Sequence, residues 1–164
     1  MAIQGRVAQI SISNGGVPKL RILEAQVTAL GIVGDRQRDR RYHGGPERAI
    51  CAFSLEVIEA LAREGHPIAP GTTGENLTVS GIDWALVVPG TKLIIGEVEL
   101  EMASFAAPCR TIQQSFFRAK FKRISHKHHP KECRAYFRVN HEGTIREGDV
   151  VALIDGSNAD RGSL

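Results

Sequence analysis

The stretch TKLIIGEVELEMASF, residues 91–105, constrains the fold more than any other. Its second half alternates apolar and charged side chains with a period of two, which puts one face of an extended segment in a core and the other in water. Gly96 and Glu97 fall between two such runs, so the spacing predicts two antiparallel strands joined by a tight turn. The same pattern recurs along the chain. VAQISIS (7–13) alternates, Gly15 and Gly16 offer a turn, and LRILEAQVT (20–28) follows as the partner of a hairpin. AICAF (49–53), NLTVS (76–80), AYFRV (135–139) and DVVALI (149–154) are further strands, the last two linked by HEGTIREG.

Helical periodicity is confined to SLEVIEALAREG, 54–65, with Ser54 as the N-cap, Val57, Ile58 and Leu61 on one side, and Gly65 as the stop. A second short helix is expected after Cys109, where Ile112, Phe116 and Phe117 share a side. Many short strands and few helices predict a mostly β domain, a barrel closed on itself to avoid unpaired edges, with helices as plugs or lids. Residues 1–156 are expected to form one domain, followed by a flexible tail at 157–164.

No apolar run approaches the roughly 18 residues that a membrane helix requires, and MAIQGRVAQISIS lacks the order of a signal peptide, so a cytoplasmic protein without membrane contact is expected. The three cysteines at 51, 109 and 133 are odd in number and far apart, and are read as reduced thiols. The net charge of +3 is unevenly spread. Between Arg118 and Arg134 seven basic residues face one acid, Glu132, which gives that segment +6 and leaves the remainder at −3.

Three constellations could carry chemistry. GIVGDRQRDRRYHGGPERA (31–49) gathers Arg36, Arg38, Arg40, Arg41 and His43 with the backbone N–H groups of Gly44 and Gly45, a set suited to an anionic ligand, although a solvated loop is the plainer reading. GTTGENLTVSG (71–81) places Glu75 and Asn76 before a strand, where they could meet a polar heterocycle or cap a turn. FAAPCRTIQ (105–113) places Cys109 at a strand exit between Pro108 and Arg110, and a neighbouring cation favours the thiolate, the form that acts as nucleophile or metal ligand. A soft thiolate suits a transition metal better than magnesium or calcium. Cys51, with apolar neighbours on both sides, reads as a buried inert thiol. HKHHPKEC (126–133) has zinc-binding residue types but no standard zinc spacing, and the basic segment has few aromatics, Phe117 and Phe121, and no nucleic-acid motif.

In order along the chain, PKLRILEAQVTALGIVGDR, YHGGPERAI, GTTGENLTVSG, PGTKLIIGEVELEMASFAAPCRTI and RVNHEGTIREGDVV resemble the MOSC domain, the family named for the C-terminal domain of molybdenum cofactor sulfurase. The resemblance runs from about Gly5 to Leu153. It implies a β-barrel-like fold and a site for a molybdopterin-type molybdenum cofactor, with Cys109 as the ligand to molybdenum or sulfur. On the same basis Arg38, Arg40, Arg41, His43, Gly44, Gly45, Glu75, Asn76 and Arg110 are expected around the cofactor. Asp35 matches the family pattern and is read as a shaper of its loop.

By analogy with stand-alone members of that family, the leading expectation is an oxidoreductase that reduces N-hydroxylated compounds. A small-molecule substrate and a separate reductase are implied, since no flavin, iron–sulfur or haem motif is present. A carrier of the cofactor or of sulfur as a Cys109 persulfide is the second expectation. A non-catalytic module that binds through the basic 118–134 segment is the third, with nucleic acid the less favoured occupant.

Overall fold

The computed structural model describes residues 3–36 and 45–156. Among them run β1 (Ile3–Ile12), β2 (Leu20–Ile22), β3 (Glu24–Thr28), β4 (Gly31–Ile32), β5 (Ile50–Ser54), α1 (Leu55–Arg63), β6 (Leu77–Ser80), β7 (Lys92–Ile95), β8 (Val98–Ala106), β9 (Arg134–His141), β10 (Gly143–Arg146) and β11 (Val150–Ile154). Seven strands close into a barrel in the order β11-β7-β8-β9-β5-β6-β1, and β1 returns to pair with β11. The mostly β, barrel-closed fold expected from the sequence is the fold observed. No helix among the described residues is long and apolar enough to cross a membrane.

Strand β1 makes closure possible. Its first residues pair with β11 (Ile3↔Leu153 to Arg6↔Val150), its middle with β6, and its end with β2 (Ile10↔Ile22), with an irregularity between Val7 and Gln9 that bends the strand around the barrel. The 91–105 stretch forms the β7–β8 hairpin as expected, Ile95 facing Val98 across the turn and Gly96 at φ +59°. Val98, Leu100 and Met102 are buried while Glu99 and Glu101 are partly exposed, so the alternation does place one face inward. The inner faces of the strands supply the core, which includes Ile10, Phe53, Leu77, Leu93, Leu100 and Phe137.

Strands β5 and β6 are parallel, Ala52 facing Leu77, and two parallel neighbours require a crossover. The α1 helix supplies it. The Ser54 hydroxyl accepts from Val57 N as the expected cap, and Gly65, at φ +103°, ends the helix. The crossover continues through GTTGEN and sets those residues beside the start of β6.

Two local expectations differ from what forms. LRILEAQVT is not one strand: it divides at Leu23, β2 staying with the barrel and β3 joining a separate sheet of order β10-β3-β4. Its partner β10 lies inside HEGTIREG, which reads as a link because Ile145 is its one apolar side chain. The segment after Cys109 forms 3-10 turns at Arg110–Ser115, Phe117–Ala119 and Phe121–Ile124 rather than a helix. Cysteine offers no capping oxygen at its start, Phe116 is extended, and Arg118 and Ala119 adopt φ of +53° and +57°, which a continuous helix cannot hold.

Candidate functional site

Cys109 lies just past the end of β8, in extended conformation, and is partly exposed. The strands beside it define what it faces. Residues directly opposite in a sheet share a face, so Cys51, Tyr136 and Ser104 line up across β5, β9 and β8, with Arg134 opposite Ala106 nearer the Cys109 end. Ala135 and Phe137 alternate into the barrel core, and Cys51, Ala106 and Tyr136 form a separate small cluster outside it.

That outer face is covered by the turn Pro46–Arg48, which follows Gly45. Arg48 stands over the Tyr136 ring, 5.3 Å from its centroid, and Glu47 takes Arg138 of β9 at 2.7 Å. Burial pushes the Tyr136 phenol up to about 12, against the opposing charges of Arg134 and Arg48.

Beneath this face is a buried polar framework. Asn76 binds Cys51 on both backbone groups, accepting from its N–H at 3.2 Å and donating its own N–H to its carbonyl at 2.7 Å. The Asn76 side chain donates to Asp35 at 2.8 Å, and Asp35 also accepts from Ser13 N at 2.9 Å and pairs with the buried Lys19 ammonium at 2.7 Å. Glu75 accepts from the N–H of Gly71 and the hydroxyl of Thr73. Gly71 is irreplaceable by geometry, since at φ +86° an added Cβ would lie 2.4 Å from the Lys19 carbonyl.

Arg134 ties the framework to the Cys109 approach. Only 5% exposed, it donates to the Thr73 carbonyl at 2.7 Å and to the Ala107 carbonyl at 3.2 Å. Its Nε–H is buried without an acceptor among the described residues. One guanidinium therefore fastens the GTTGEN loop to the backbone two residues before Cys109.

Of the residues expected around the site, Arg38, Arg40, Arg41, His43 and Gly44 lie outside the described residues. Their described flanks meet this region from two sides: Asp35 through Asn76, and Gly45, exposed at φ +83°, through the turn over Tyr136. Arg110 is adjacent to Cys109 and exposed. Glu75 and Asn76 are wholly buried, with their polar atoms engaged by the framework, so they support the site from below instead of facing a ligand. Asp35, expected to shape its loop, instead binds Ser13, Lys19 and Asn76 through its carboxylate.

Sequence reading missed Arg134, Tyr136 and Arg48. The signal was present: R-A-Y-F-R, residues 134–138, alternates, putting Arg134, Tyr136 and Arg138 on one face opposite Ala135 and Phe137. Counting Arg134 in a basic run obscured that period.

Burial pushes the Cys51 and Cys133 thiols each up to about 11. Cys133 contacts His126 at 3.7 Å, and that imidazole stacks on Phe105, but no three of His, Cys, Asp and Glu converge among the described residues. Two surface hollows, of about 570 and 610 Å³, lie beside the β3–β10 ribbon and contain none of the candidate residues.

Glu75 provides a pH test of the framework. Burial raises its carboxyl above the ordinary 4.5, against the opposing hydrogen bonds from Thr73 and Gly71. A folded-state value above the unfolded one means that folding takes up a proton, so the group's contribution is complete below about 4.5 and is lost as pH rises through the raised value. Wild type is therefore expected to lose stability relative to Glu75→Gln as pH is increased above that point. Urea midpoints at a series of pH values check this, and parallel curves for the two proteins would refute it.

The MOSC domain family model matches residues 39–152. Protein YiiM of Escherichia coli (strain K12) is 33% identical over 98 residues, which cover 57% of this chain and 43% of the relative. YflK of Bacillus subtilis (strain 168) is 29% identical over 125 residues, 74% of this chain and 54% of the relative. The chain thus spans about half the length of these two relatives. The crystal structure of YiiM from Geobacillus stearothermophilus superposes with a TM-score of 0.71 over 92% of this chain and 75% of its own, at 22% identity. A second crystal structure superposes at 0.74 over 94% and 70%, at 21% identity. The barrel is therefore shared with solved structures along nearly all of this chain, and the family model takes in every strand of the candidate site together with Cys109 and Arg134: the chain belongs to the MOSC domain family.

Proposed function

We propose that this chain holds a molybdenum cofactor at Cys109 and reduces small N-hydroxylated compounds with electrons from a separate reductase. The observation that carries the reading is the contrast among three thiols. Cys51 and Cys133 are buried and held protonated, whereas Cys109 is partly exposed at the end of a polar, cationic strand face.

The residues present fit such a group. With no three protein donors converging among the described residues, a metal on Cys109 would take its other ligands from an organic molecule, which is what a molybdopterin supplies. Arg134 offers a buried N–H without an acceptor among the described residues, and Arg48 and Arg110 add cations suited to an anionic tail. When bound, the group supplies two-electron redox chemistry at its metal. The chain's own residues do the rest. Cys109 would hold the metal, Arg134 fixes the backbone that presents Cys109, and the Tyr136 phenol, opposite Cys51 on the same strand face, remains protonated at neutral pH.

The test is the protein purified from a host that makes molybdopterin, analysed for metal and assayed on an N-hydroxylated base with dithionite as reductant. About one molybdenum per chain with turnover to the reduced base and water is the expected result. Cofactor or labile sulfur on Cys109 without turnover would favour a carrier instead, and absence of both molybdenum and sulfur would sink the reading.

A further inference from the structure

The connection from β8 to β9 leaves the barrel just before Cys109 and returns at Arg134, so whatever it displays stands at the rim of the candidate site. It is firmly held. Ile112, Phe116 and Ile124 are buried beneath it. Phe117 N donates to His66 Nδ1 at 3.0 Å, and Arg123 bridges Glu64, just past α1, and Glu132, each at 2.9 Å. His66 and His129 also approach these two acids, at 3.6 and 3.4 Å. Glu64 and Glu132 are thus already engaged.

What remains is unbalanced positive charge. Arg110, Arg118, Lys120, Lys122, Lys127 and Lys131 are all exposed, and none forms an ion pair among the described residues. Arg118 lies 5.1 Å from the ring of Phe117, itself 53% exposed, which adds an apolar contact within the cations. Like charges gathered on an anchored backbone repel one another, and an anionic surface laid over them relieves that repulsion and speeds encounter.

We propose that this strap is the docking face for an acidic electron-donor protein that serves the Cys109 site. The assignment rests on the oxidoreductase reading above. A protein fits better than nucleic acid for two reasons on the strap itself. Its 3-10 turns are three to six residues long, too short to enter a major groove as a reading helix. Phe121 is half-buried, which leaves Phe117 as the strap's one exposed phenyl ring among the described residues, short of the series of large aromatic rings on which a single strand stacks. The position of the strap, rooted at Cys109 and Arg134, matters only to a partner that delivers something to that site.

The test uses the cofactor-loaded protein and its Lys120→Glu, Lys122→Glu, Lys127→Glu triple variant, with flavodoxin as an acidic donor protein and dithionite as a small one. The KM for flavodoxin is expected to rise at least tenfold in the variant at low salt, with kcat at saturating flavodoxin, turnover with dithionite and melting temperature unchanged. Wild-type turnover with flavodoxin should fall as salt is added while dithionite turnover does not. An unchanged KM overturns the assignment. If dithionite drives no turnover in either protein, the oxidoreductase reading fails on its own, and calorimetric titration of flavodoxin into both proteins still decides the docking face: equal Kd values overturn it. A 20-base-pair DNA duplex that binds wild type more tightly than flavodoxin does, and loses that binding in the variant, reassigns the strap to nucleic acid and likewise overturns the proposal.

Discussion

Replacing Arg134 with methionine is expected to lower the melting temperature by roughly 6–12 °C, the largest effect of any single change argued from this structure. The side chain is buried and has two neutral acceptors, the carbonyls of Thr73 and Ala107. Its charge also lies close enough to Glu75 to favour ionisation of that carboxyl. Methionine of similar volume fills the space but leaves both carbonyls without that donor and Glu75 without its cation. Removing one partner of a buried charged set costs about 3 kcal/mol or more, and a chain of this length shifts by roughly 2–4 °C per kcal/mol. Thermal unfolding followed by circular dichroism checks the figure. Adding Glu75→Gln to Arg134→Met should recover part of the loss if the stranded carboxyl is its main source. A variant that melts within about 2 °C of wild type would show that the clasp contributes no net stability, its desolvation cost offsetting its bonds.

The clasp also shows why the sequence was legible in some places and not in others. Alternation along VELEMA reports a local fact, one face in and one face out, and that fact survives folding unchanged in β8. Ser54 and Gly65 bound a helix for reasons contained within a turn of chain, so α1 begins and ends where the sequence places it. The division of 20–28 at Leu23 is different in kind. Nothing in those nine residues says that the first three pair with β1 while the rest pair with Gly143–Arg146, more than a hundred positions away.

The candidate site divides along the same line. Cys109 announces itself through its own neighbours, Pro108 and Arg110. The framework that presents it joins Lys19, Asp35, Cys51 and Asn76 from four separate places in the chain, and a single sequence does not display such pairings. Glu75 and Asn76 were legible as chemically capable side chains but not as buried ones, because burial is decided by what the β5–α1–β6 crossover stacks around them. Arg134 was hidden by its company, since six other cations between 118 and 134 made a period-two position look like part of a charge run.

The second large effect concerns the thiols. Cys109→Ser is expected to reduce bound molybdenum at least tenfold while moving the melting temperature by less than about 2 °C, and Cys51→Ser is expected to do the reverse. A partly exposed side chain at a strand exit contributes little packing, so exchange of sulfur for oxygen there costs little. As a ligand the exchange is severe, because a serine hydroxyl is a far weaker acid than a thiol and does not offer the soft sulfur donor that such a metal prefers. At Cys51 the balance inverts. That thiol is 6% exposed and held protonated, its pKa pushed up to about 11, so at neutral pH it is a poor ligand, whereas a hydroxyl placed against Ala106 and Tyr136 has to find a hydrogen bond or pay for burial. Metal content and unfolding midpoints of the two variants, measured beside wild type from the same host, separate the roles. Iodoacetamide labelling of the metal-free native protein should mark Cys109 well before Cys51 or Cys133, and loading with the cofactor should suppress that label. Molybdenum retained in Cys109→Ser and lost in Cys51→Ser would transfer the ligand assignment to the inner thiol, and would require the outer face of β5, β9 and β8 to open far enough for a buried sulfur to reach a metal.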